Sequence, residues 1–265
     1  MTDILTTLAI RNCRVIRAPT DRPEISYNVK MWGSVSEAKQ KLISAVRERI
    51  KGSSSTFRCL VYCRGKKSTE EIAKILGCNP FHSDRPEEER KASFMDWVEG
   101  RNKVIVSTSL LGCGIDVEGV EAVYHFMTPR SLMDFAQESG RAGRGGAPAE
   151  SWVFSSEEDY EPDTPTDLFG YEIMKKWVHQ TSLCRRIDMS SFLDGRVTTC
   201  TLTPKANLCD VCDLKSNEPH PRRPVEISPT VIPHASIPKI GTLPPVPPTS
   251  IEYARERLEA PPTNE

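Results

Sequence analysis

The apolar run Cys59-Leu60-Val61-Tyr62-Cys63 has the length and the residue types of a buried β-strand. Three further apolar runs follow along the chain, at residues 104–106, 122–126 and 152–154. Polar, helix-like segments separate them, and strands that alternate with helices at this spacing predict an α/β fold, a parallel sheet with helices on both faces. Ligands of such sheets bind at the carboxyl ends of the strands, so the loops after Val106 and Phe126 are where chemistry is expected.

Helix signals fill the segments between these runs. Apolar residues that share one face predict a helix over residues 35–50. Ser68-Thr69-Glu70-Glu71 has the pattern of a capping box and predicts a helix through Leu76. Pro86 and the three glutamates after it predict another helix start, because proline suits the first turn and carboxylates favour the positive end of the helix dipole. Ser131 predicts the cap of a helix that reaches Ser139, and residues 163–180 predict a loop followed by a helix.

The bulk composition constrains the class of protein more than its partners. Lys and Arg number 35 and Asp and Glu 36, so net charge neither supports nor excludes nucleic acid, which needs only a local basic groove. Apolar runs stay well short of 18 residues, which predicts no membrane span. Residues 1–11 lack the charged-then-apolar pattern of a secretion signal, and nine cysteines in such a chain indicate a reducing compartment.

Composition changes sharply after Glu218. Twelve of the 21 prolines lie between Pro219 and Pro262, which predicts an extended, disordered tail. The sequence therefore predicts four parts: an N-terminal segment over residues 1–34, an α/β lobe over 35–160, a cysteine-bearing subdomain over 161–217 and the proline-rich tail over 218–265.

The string Gln137-Glu138-Ser139-Gly140-Arg141-Ala142-Gly143-Arg144-Gly145-Gly146 carries the strongest chemical signal. Two arginines three residues apart lie on one side of a helical or turn segment. Interleaved glycines remove side chains, so a phosphate can approach the backbone, and a guanidinium stays charged and binds phosphate oxygens in pairs. The alternative is a Gly/Arg-rich turn with solvated arginines.

Taken together, these segments resemble the ordered motifs of superfamily 2 helicases, and the RecQ family most closely. Residues 137–146 resemble motif VI and residues 104–116 resemble motif V, although Leu110-Leu111-Gly112-Cys113-Gly114 differs from the family's usual Ala-Phe-Gly-Met-Gly. Residues 60–64 resemble motif IV, and residues 17–25 resemble the segment that leads into this lobe. The resemblance covers residues 15–213, is closest to the fungal telomere-linked branch, and implies a RecA-like fold.

The resemblance also implies roles for individual residues. Arg144 would be the arginine finger, Arg141 its partner at the γ-phosphate, and Gln137 a link between the nucleotide cleft and the DNA. Asp116, with Gly114 in the same loop, would lie near the nucleotide, with a turn cap as the alternative for Asp116. The hydroxyls of Ser107 and Thr108 would hold a single-strand phosphate, with a strand-end hydroxyl as the alternative for Thr108. His82 would contact DNA or be a packed structural histidine.

Four cysteines near the end of the lobe form a candidate metal site. Cys184, Cys200, Cys209 and Cys212 are separated by 15, 8 and 2 residues. Four thiolates complete a closed tetrahedral site for structural zinc, and the order of ligands resembles the RecQ zinc-binding subdomain. Unrelated buried thiols are the alternative. The other five cysteines are expected to be packing residues. Arg185 and Arg186 are expected to contact DNA phosphates or to lie on a solvated face.

A phosphate loop of the form Gly-x-x-x-x-Gly-Lys-Ser/Thr does not occur in the 265 residues. In the family it belongs to a first, RecA-like lobe, so ATP and Mg²⁺ would need that lobe in cis or in trans, and the chain alone would be inactive. The expected activity is that of the second motor lobe of an ATP-dependent 3′–5′ DNA helicase that binds single-stranded DNA in the nucleus. The alternatives are a non-catalytic remnant that binds nucleic acid or a partner, and a tail that serves as an SH3 or WW ligand.

Overall fold

The computed structural model describes residues 18–112, 117, 119–158 and 170–217. Six strands in this part of the chain form one sheet, and every pairing in it is parallel. The strands are β1 (Ile25–Trp32), β2 (Arg58–Cys63), β3 (Pro80–Phe81), β4 (Val104–Ser107), β5 (Val120–Phe126) and β6 (Ala149–Ser156). Their spatial order is β1-β6-β5-β2-β4-β3.

Seven helices surround or follow this sheet in the described residues. They are α1 (Val35–Lys51), α2 (Lys66–Leu76), α3 (Glu87–Val98), α4 (Leu132–Ser139), α5 (Tyr171–His179), α6 (Arg185–Asp194) and α7 (Asp210–Asn217), with a 3₁₀ turn over Ser109–Gly112. None of these described helices has the length and apolar composition needed to cross a bilayer.

Both faces of the sheet are covered, as the apolar runs predict. Neighbouring residues of β2 point to opposite faces, so Leu60 packs with Trp97 of α3 and Phe135 of α4, while Val61 packs with Leu42 of α1. Strands buried on both sides need apolar residues at every position, which is why β2 is a continuous apolar run. The predicted α/β fold is confirmed.

Two local features differ from the sequence-based expectation. Helix α2 begins at Lys66 after Gly65, without a side-chain cap, so the capping box at residues 68–71 is wrong. The Thr69 hydroxyl instead donates back to the Gly65 carbonyl at 3.0 Å, inside the helix. At Ser131 the prediction is confirmed, because its hydroxyl accepts from the Asp134 amide at 3.0 Å at the start of α4.

Strand β1 was not predicted, and it joins the N-terminal segment to the lobe. It pairs with β6 on one side. On the other side the cysteine-bearing segment covers its edge, because the Val29 amide donates to the Asp210 carboxylate at 3.0 Å and the Ser26 hydroxyl to the Leu208 carbonyl at 2.8 Å. A covered edge leaves fewer unpaired backbone groups for other chains. The expected disorder of residues 218–265 lies outside the described residues.

Candidate nucleotide and metal sites

The loop that carries the two arginines lies at the amino ends of the strands. Helix α4 returns from the carboxyl end of β5, and the Gly143 amide then donates to the Val120 carbonyl, at the first residue of β5, at 2.9 Å. The loop ends where β6 begins, at Ala149. The arginines therefore do not lie in the loops directly after Val106 and Phe126, where chemistry was expected, because helix α4 separates Phe126 from them.

Arg141 and Arg144 border one small enclosed cavity that is too small to hold a water molecule. Both side chains are half-buried, and the cavity is otherwise lined by Leu60, Trp97, Leu111, Val117 and Val120. Leu111 and Val117 flank in sequence the stretch that holds Gly114 and Asp116, and those two residues lie outside the described part of the chain. The motif V and motif VI segments thus meet beside the arginines. Gln137 is exposed on α4.

A buried polar chain connects Arg141 to the interior of the lobe. Burial raises the pKa of the Tyr62 hydroxyl. The negative charge of Glu138 adds to this rise, and the positive charge of the neighbouring Arg141 opposes it. The Tyr62 ring stacks on His125 with centroids 5.6 Å apart, and His125 Nε2 lies 3.1 Å from the Glu138 carboxylate. Glu138 is therefore a structural member of the arginine motif, whose side chain faces the core.

Two glycines of the arginine motif are required for packing. A Cβ at Gly140 would lie 2.9 Å from the Ala136 carbonyl oxygen and 3.3 Å from Arg22 Nη1. At Gly143, where φ is +66°, a Cβ would lie 2.8 Å from Glu24 Cγ. Protein groups thus occupy the space that the sequence analysis assigned to a phosphate, and that interpretation is wrong for these two positions. Only Gly145 and Gly146 of this loop have open space beside them.

The substitution Gly143→Ala is expected to lower the free energy of unfolding by about 3 kcal/mol, because a left-handed backbone and an overpacked contact both add cost. Gly145→Ala is the matched control, since its φ of +83° is equally left-handed but nothing lies within 4 Å. It is expected to cost about 1 kcal/mol. Urea denaturation of both variants measures the difference, and equal losses would show that packing at Gly143 is unimportant.

The predicted DNA-contacting residues divide into buried and accessible ones. Ser107 is fully buried, and its hydroxyl contacts the carbonyls of Phe81 at 3.0 Å and Thr108 at 2.6 Å. His82 is buried with Nε2 2.8 Å from the Glu70 carboxylate. The geometry favours a structural role for both, because neither offers a group to a ligand outside. Thr108 is half-buried. The strand-end hydroxyl that contacts backbone carbonyls here is that of Ser107.

A second cavity, of about 320 Å³, opens at the carboxyl ends of β2 and β5. Arg64, Arg130 and Ser109 line it together with Ser131, while Asp134 and Glu138 supply its acidic groups. This is the edge where parallel sheets bind ligands. Arg130 was not among the predicted site residues, although its place just after β5 is the signal that could have found it.

The four predicted metal ligands are brought together by the fold. Their sulfur atoms all lie within 4.8 Å of one another, with Cys184 Sγ 3.5 Å from Cys200 Sγ and 4.0 Å from Cys209 Sγ. Zn–S bonds of about 2.3 Å in a tetrahedron place sulfurs about 3.8 Å apart, so the spacing fits zinc. Burial raises the pKa of the Cys212 thiol to about 12, so burial disfavours the thiolate form. A bound cation would stabilise the thiolate and lower this pKa.

Backbone amides around the sulfur atoms also donate hydrogen bonds that stabilise thiolates. The Arg185 amide donates to Cys209 Sγ at 3.5 Å and the Cys200 amide to Cys184 Sγ at 3.3 Å. Cys184 directly precedes α6 and Cys209 directly precedes α7, so both lie at the positive ends of helices. Of the cysteines expected to be packing residues, Cys59 and Cys63 are buried in β2, whereas Cys13 and Cys113 lie outside the described residues.

Arg185 and Arg186 are both buried, so the expectation that they contact DNA or solvent is wrong. Arg185 holds both carboxylate oxygens of Asp210 at 2.9 Å. Arg186 pairs with Asp21 and donates to the Ile25 carbonyl at 2.8 Å. A buried guanidinium needs such partners to offset its loss of hydration, and here the carboxylates come from distant parts of the chain.

Comparisons with known proteins agree with this architecture. A family model described as the helicase conserved C-terminal domain matches residues 39–146. A putative ATP-dependent DNA helicase Q1 of Caenorhabditis briggsae is 28% identical over 229 residues, 82% of this chain and 36% of that protein. The ATP-dependent DNA helicase RecQ of Haemophilus influenzae is 28% identical over 227 residues, 79% of this chain and 34% of that protein.

A third relative is the ATP-dependent DNA helicase hus2/rqh1 of Schizosaccharomyces pombe, 30% identical over 164 residues, 60% of this chain and 12% of that protein. The chain therefore spans about a third of the length of the first two relatives and a smaller share of the third.

Proposed function

Because the chain belongs to the RecQ family of superfamily 2 helicases as their C-terminal, RecA-like motor lobe, we propose that Arg141 and Arg144 act on an ATP molecule bound by a first motor lobe. In this proposal Arg144 is the arginine finger and Arg141 is its partner at the γ-phosphate. When water attacks the γ-phosphorus, negative charge spreads over the phosphoryl oxygens, and two guanidinium groups stabilise that charge.

The observation that carries this proposal is that the two arginines lie together beside the motif V stretch. Both border the same small cavity as Leu111 and Val117, the described neighbours of that stretch. Asp116 and Gly114 belong to that stretch and are proposed to contact the nucleotide. Gln137, exposed one turn before Arg141, is proposed to link the nucleotide to the nucleic acid.

The magnesium ion that accompanies ATP is assigned to the other lobe. Arg141 and Arg144 carry positive charge and repel a cation, so their guanidinium groups suit phosphate oxygens and not Mg²⁺. Bound to the phosphates, Mg²⁺ would supply neutralisation of their charge. Since the 265 residues contain no Gly-x-x-x-x-Gly-Lys-Ser/Thr, we expect negligible ATP hydrolysis by this polypeptide unless a first lobe is supplied in cis or in trans.

Single-stranded DNA is proposed to cross the carboxyl-end cavity. Arg64 and Arg130 supply positive charge there, and Ser109 supplies a hydroxyl donor. Such groups bind phosphate without reading the base. Thr108 lies next to this cavity in sequence and keeps its proposed phosphate contact. The relatives are described as ATP-dependent DNA helicases, which supports a DNA helicase lobe. We further propose that the lobe works with 3′–5′ polarity, acts in the nucleus and holds structural zinc at the four cysteines.

Complementation tests the proposed function directly. The chain is mixed with a separately produced ATP-binding lobe of a RecQ-type helicase, and ATP hydrolysis is measured with and without single-stranded DNA. We expect stimulation that depends on both the DNA and the chain. Salt-sensitive DNA binding without any stimulation would instead support the non-catalytic, nucleic-acid-binding remnant.

Arg130→Gln is expected to weaken binding of single-stranded DNA and to reduce the slope of log K against log salt by about 0.7, because one phosphate contact is lost. Arg101→Gln is the matched control, since Arg101 is an exposed arginine that pairs with Asp96 and Glu99. Fluorescence anisotropy at several salt concentrations measures both slopes. An unchanged slope for Arg130→Gln would remove this residue from the proposed DNA path.

A further inference from the structure

Arg22 donates hydrogen bonds to the backbone on both sides of Arg141. Its Nη1 donates to the Gly140 carbonyl at 2.6 Å and its Nη2 to the Ala142 carbonyl at 2.8 Å, across 118 and 120 residues of sequence. Glu24 pairs with the remaining Nε of the same guanidinium. These carbonyls lie just after the last turn of α4, at the negative end of its dipole, where a cation is favourable.

The same segment also restricts the loop sterically. A Cβ at Gly140 would lie 3.3 Å from Arg22 Nη1, and a Cβ at Gly143 would lie 2.8 Å from Glu24 Cγ. The Gly143 amide is bonded to the Val120 carbonyl at 2.9 Å. The backbone of the arginine loop is therefore held from two sides, by the start of β5 and by the N-terminal segment. A fixed backbone at residues 140–143 limits the directions that the Arg141 and Arg144 side chains can take.

Arg22 is itself held by the segment that contains the cysteines. Arg186 donates to the Arg22 carbonyl at 3.1 Å. The Asn207 amide donates to the Pro23 carbonyl at 2.8 Å, and the Thr203 hydroxyl to the Asp21 carboxylate at 3.0 Å. Arg186 stands two residues after Cys184, and Asn207 two residues before Cys209. The cysteine-bearing segment thus holds residues 21–23 in place, and the Arg22 side chain reaches the arginine loop from there.

We propose that Arg22 is a positioning residue for the arginine finger: its fork on the Gly140 and Ala142 carbonyls holds Arg141 and Arg144 in the geometry that the transition state needs. This inference rests on the proposed function of those two arginines. Arg22 touches neither the cavity that they line nor any proposed nucleotide contact in the described residues, so it acts through the loop. Catalysis depends steeply on such placement, because a displacement of about 1 Å can cost about 100-fold in rate.

Arg22→Gln and Arg22→Lys test the proposal in the complemented ATPase. Glutamine removes the charge and cannot donate to both carbonyls in the same geometry, so we expect kcat to fall at least about tenfold with KM for ATP within about twofold. Lysine keeps the charge at the helix end without the planar fork, and we expect an intermediate kcat. Glu24→Gln is the matched control, because it removes the ion pair but leaves both carbonyl contacts, and we expect less than a threefold change.

Amide hydrogen exchange supplies a readout that does not depend on ATP hydrolysis. In Arg22→Gln we expect exchange at the Gly143 amide to rise at least about tenfold, while amides of β2 and β5 keep their protection. If the unmutated chain fails to stimulate a first lobe, the proposed function fails, yet local exchange still supports the loop contact.

Two results would overturn the inference. One is an Arg22→Gln variant with the kcat and the Gly143 protection of the unmutated chain. The other is a variant in which KM rises as kcat falls and exchange increases throughout the sheet, since that pattern indicates general destabilisation and not positioning.

Discussion

Arg144→Ala is expected to reduce kcat of the complemented, DNA-stimulated ATPase by about 1,000-fold or more, the range known for lost arginine fingers. The physical reason is that the guanidinium contributes most when charge develops on the transferring phosphoryl group. Ground-state binding of ATP depends chiefly on the lobe that holds the other phosphates, so KM is expected to change by less than about fivefold. Steady-state ATP hydrolysis at saturating single-stranded DNA measures both constants.

Three variants separate the chemical role of Arg144 from a structural one. Arg144→Lys keeps a positive charge but loses the fork, so we expect it to remain far below the unmutated rate. Arg141→Ala is expected to lower kcat as well, since both side chains line one cavity. Arg101→Ala removes an exposed arginine elsewhere and is expected to have no effect. A normal kcat in Arg144→Ala would refute the assignment of the finger.

Removal of one of the proposed zinc ligands is expected to have the largest effect on stability. Cys209→Ser should abolish stoichiometric zinc and lower Tm by at least about 10 °C, because structural zinc contributes many kcal/mol to folding and a few kcal/mol shift Tm by about this much. Cys209 is buried in the same core cluster as β1 and α5, so the loss should spread beyond the cysteine segment. Elemental analysis and thermal unfolding measure the two effects.

Cys78→Ser is the matched control for this prediction. Cys78 is a half-buried cysteine outside the four-sulfur cluster, so its replacement should leave the zinc content unchanged. Elemental analysis that finds no zinc in the unmutated protein, purified under reducing conditions, would contradict the metal assignment. Zinc retained in full by Cys209→Ser would contradict the ligand set.

Local sequence patterns were sufficient to predict the central strands of the sheet. The apolar runs of β2, β4 and β5 predict buried parallel strands because such strands lack an exposed face, and Ser131 predicts its own cap from one side chain. The search for continuous apolar runs missed β1, in which Ser26, Asn28 and Lys30 alternate with apolar residues. The capping-box pattern misplaced the start of α2, since a serine-to-glutamate pattern does not exclude an earlier start at Lys66.

For the sites, sequence was informative where residues close in the chain act together. The spacing of Arg141 and Arg144, and the stretch Cys209-Asp210-Val211-Cys212, are local, so motif and metal hypotheses could be stated from them. The contacts of buried charges were not predictable. Arg185 and Arg186 look like surface arginines until Asp210 and Asp21 are seen beside them.

The alternation of apolar runs determines, by sequence alone, a parallel α/β lobe, and the residue types of the motifs predict a paired-arginine motif and a four-cysteine site. Tertiary structure alone decides that the arginine loop lies at the amino ends of the strands and that Arg22 is hydrogen-bonded to its backbone. The reason is physical: hydrophobic burial follows local periodicity, whereas a hydrogen bond between Arg22 and Gly140 joins groups 118 residues apart, and only the packed sheet brings them together.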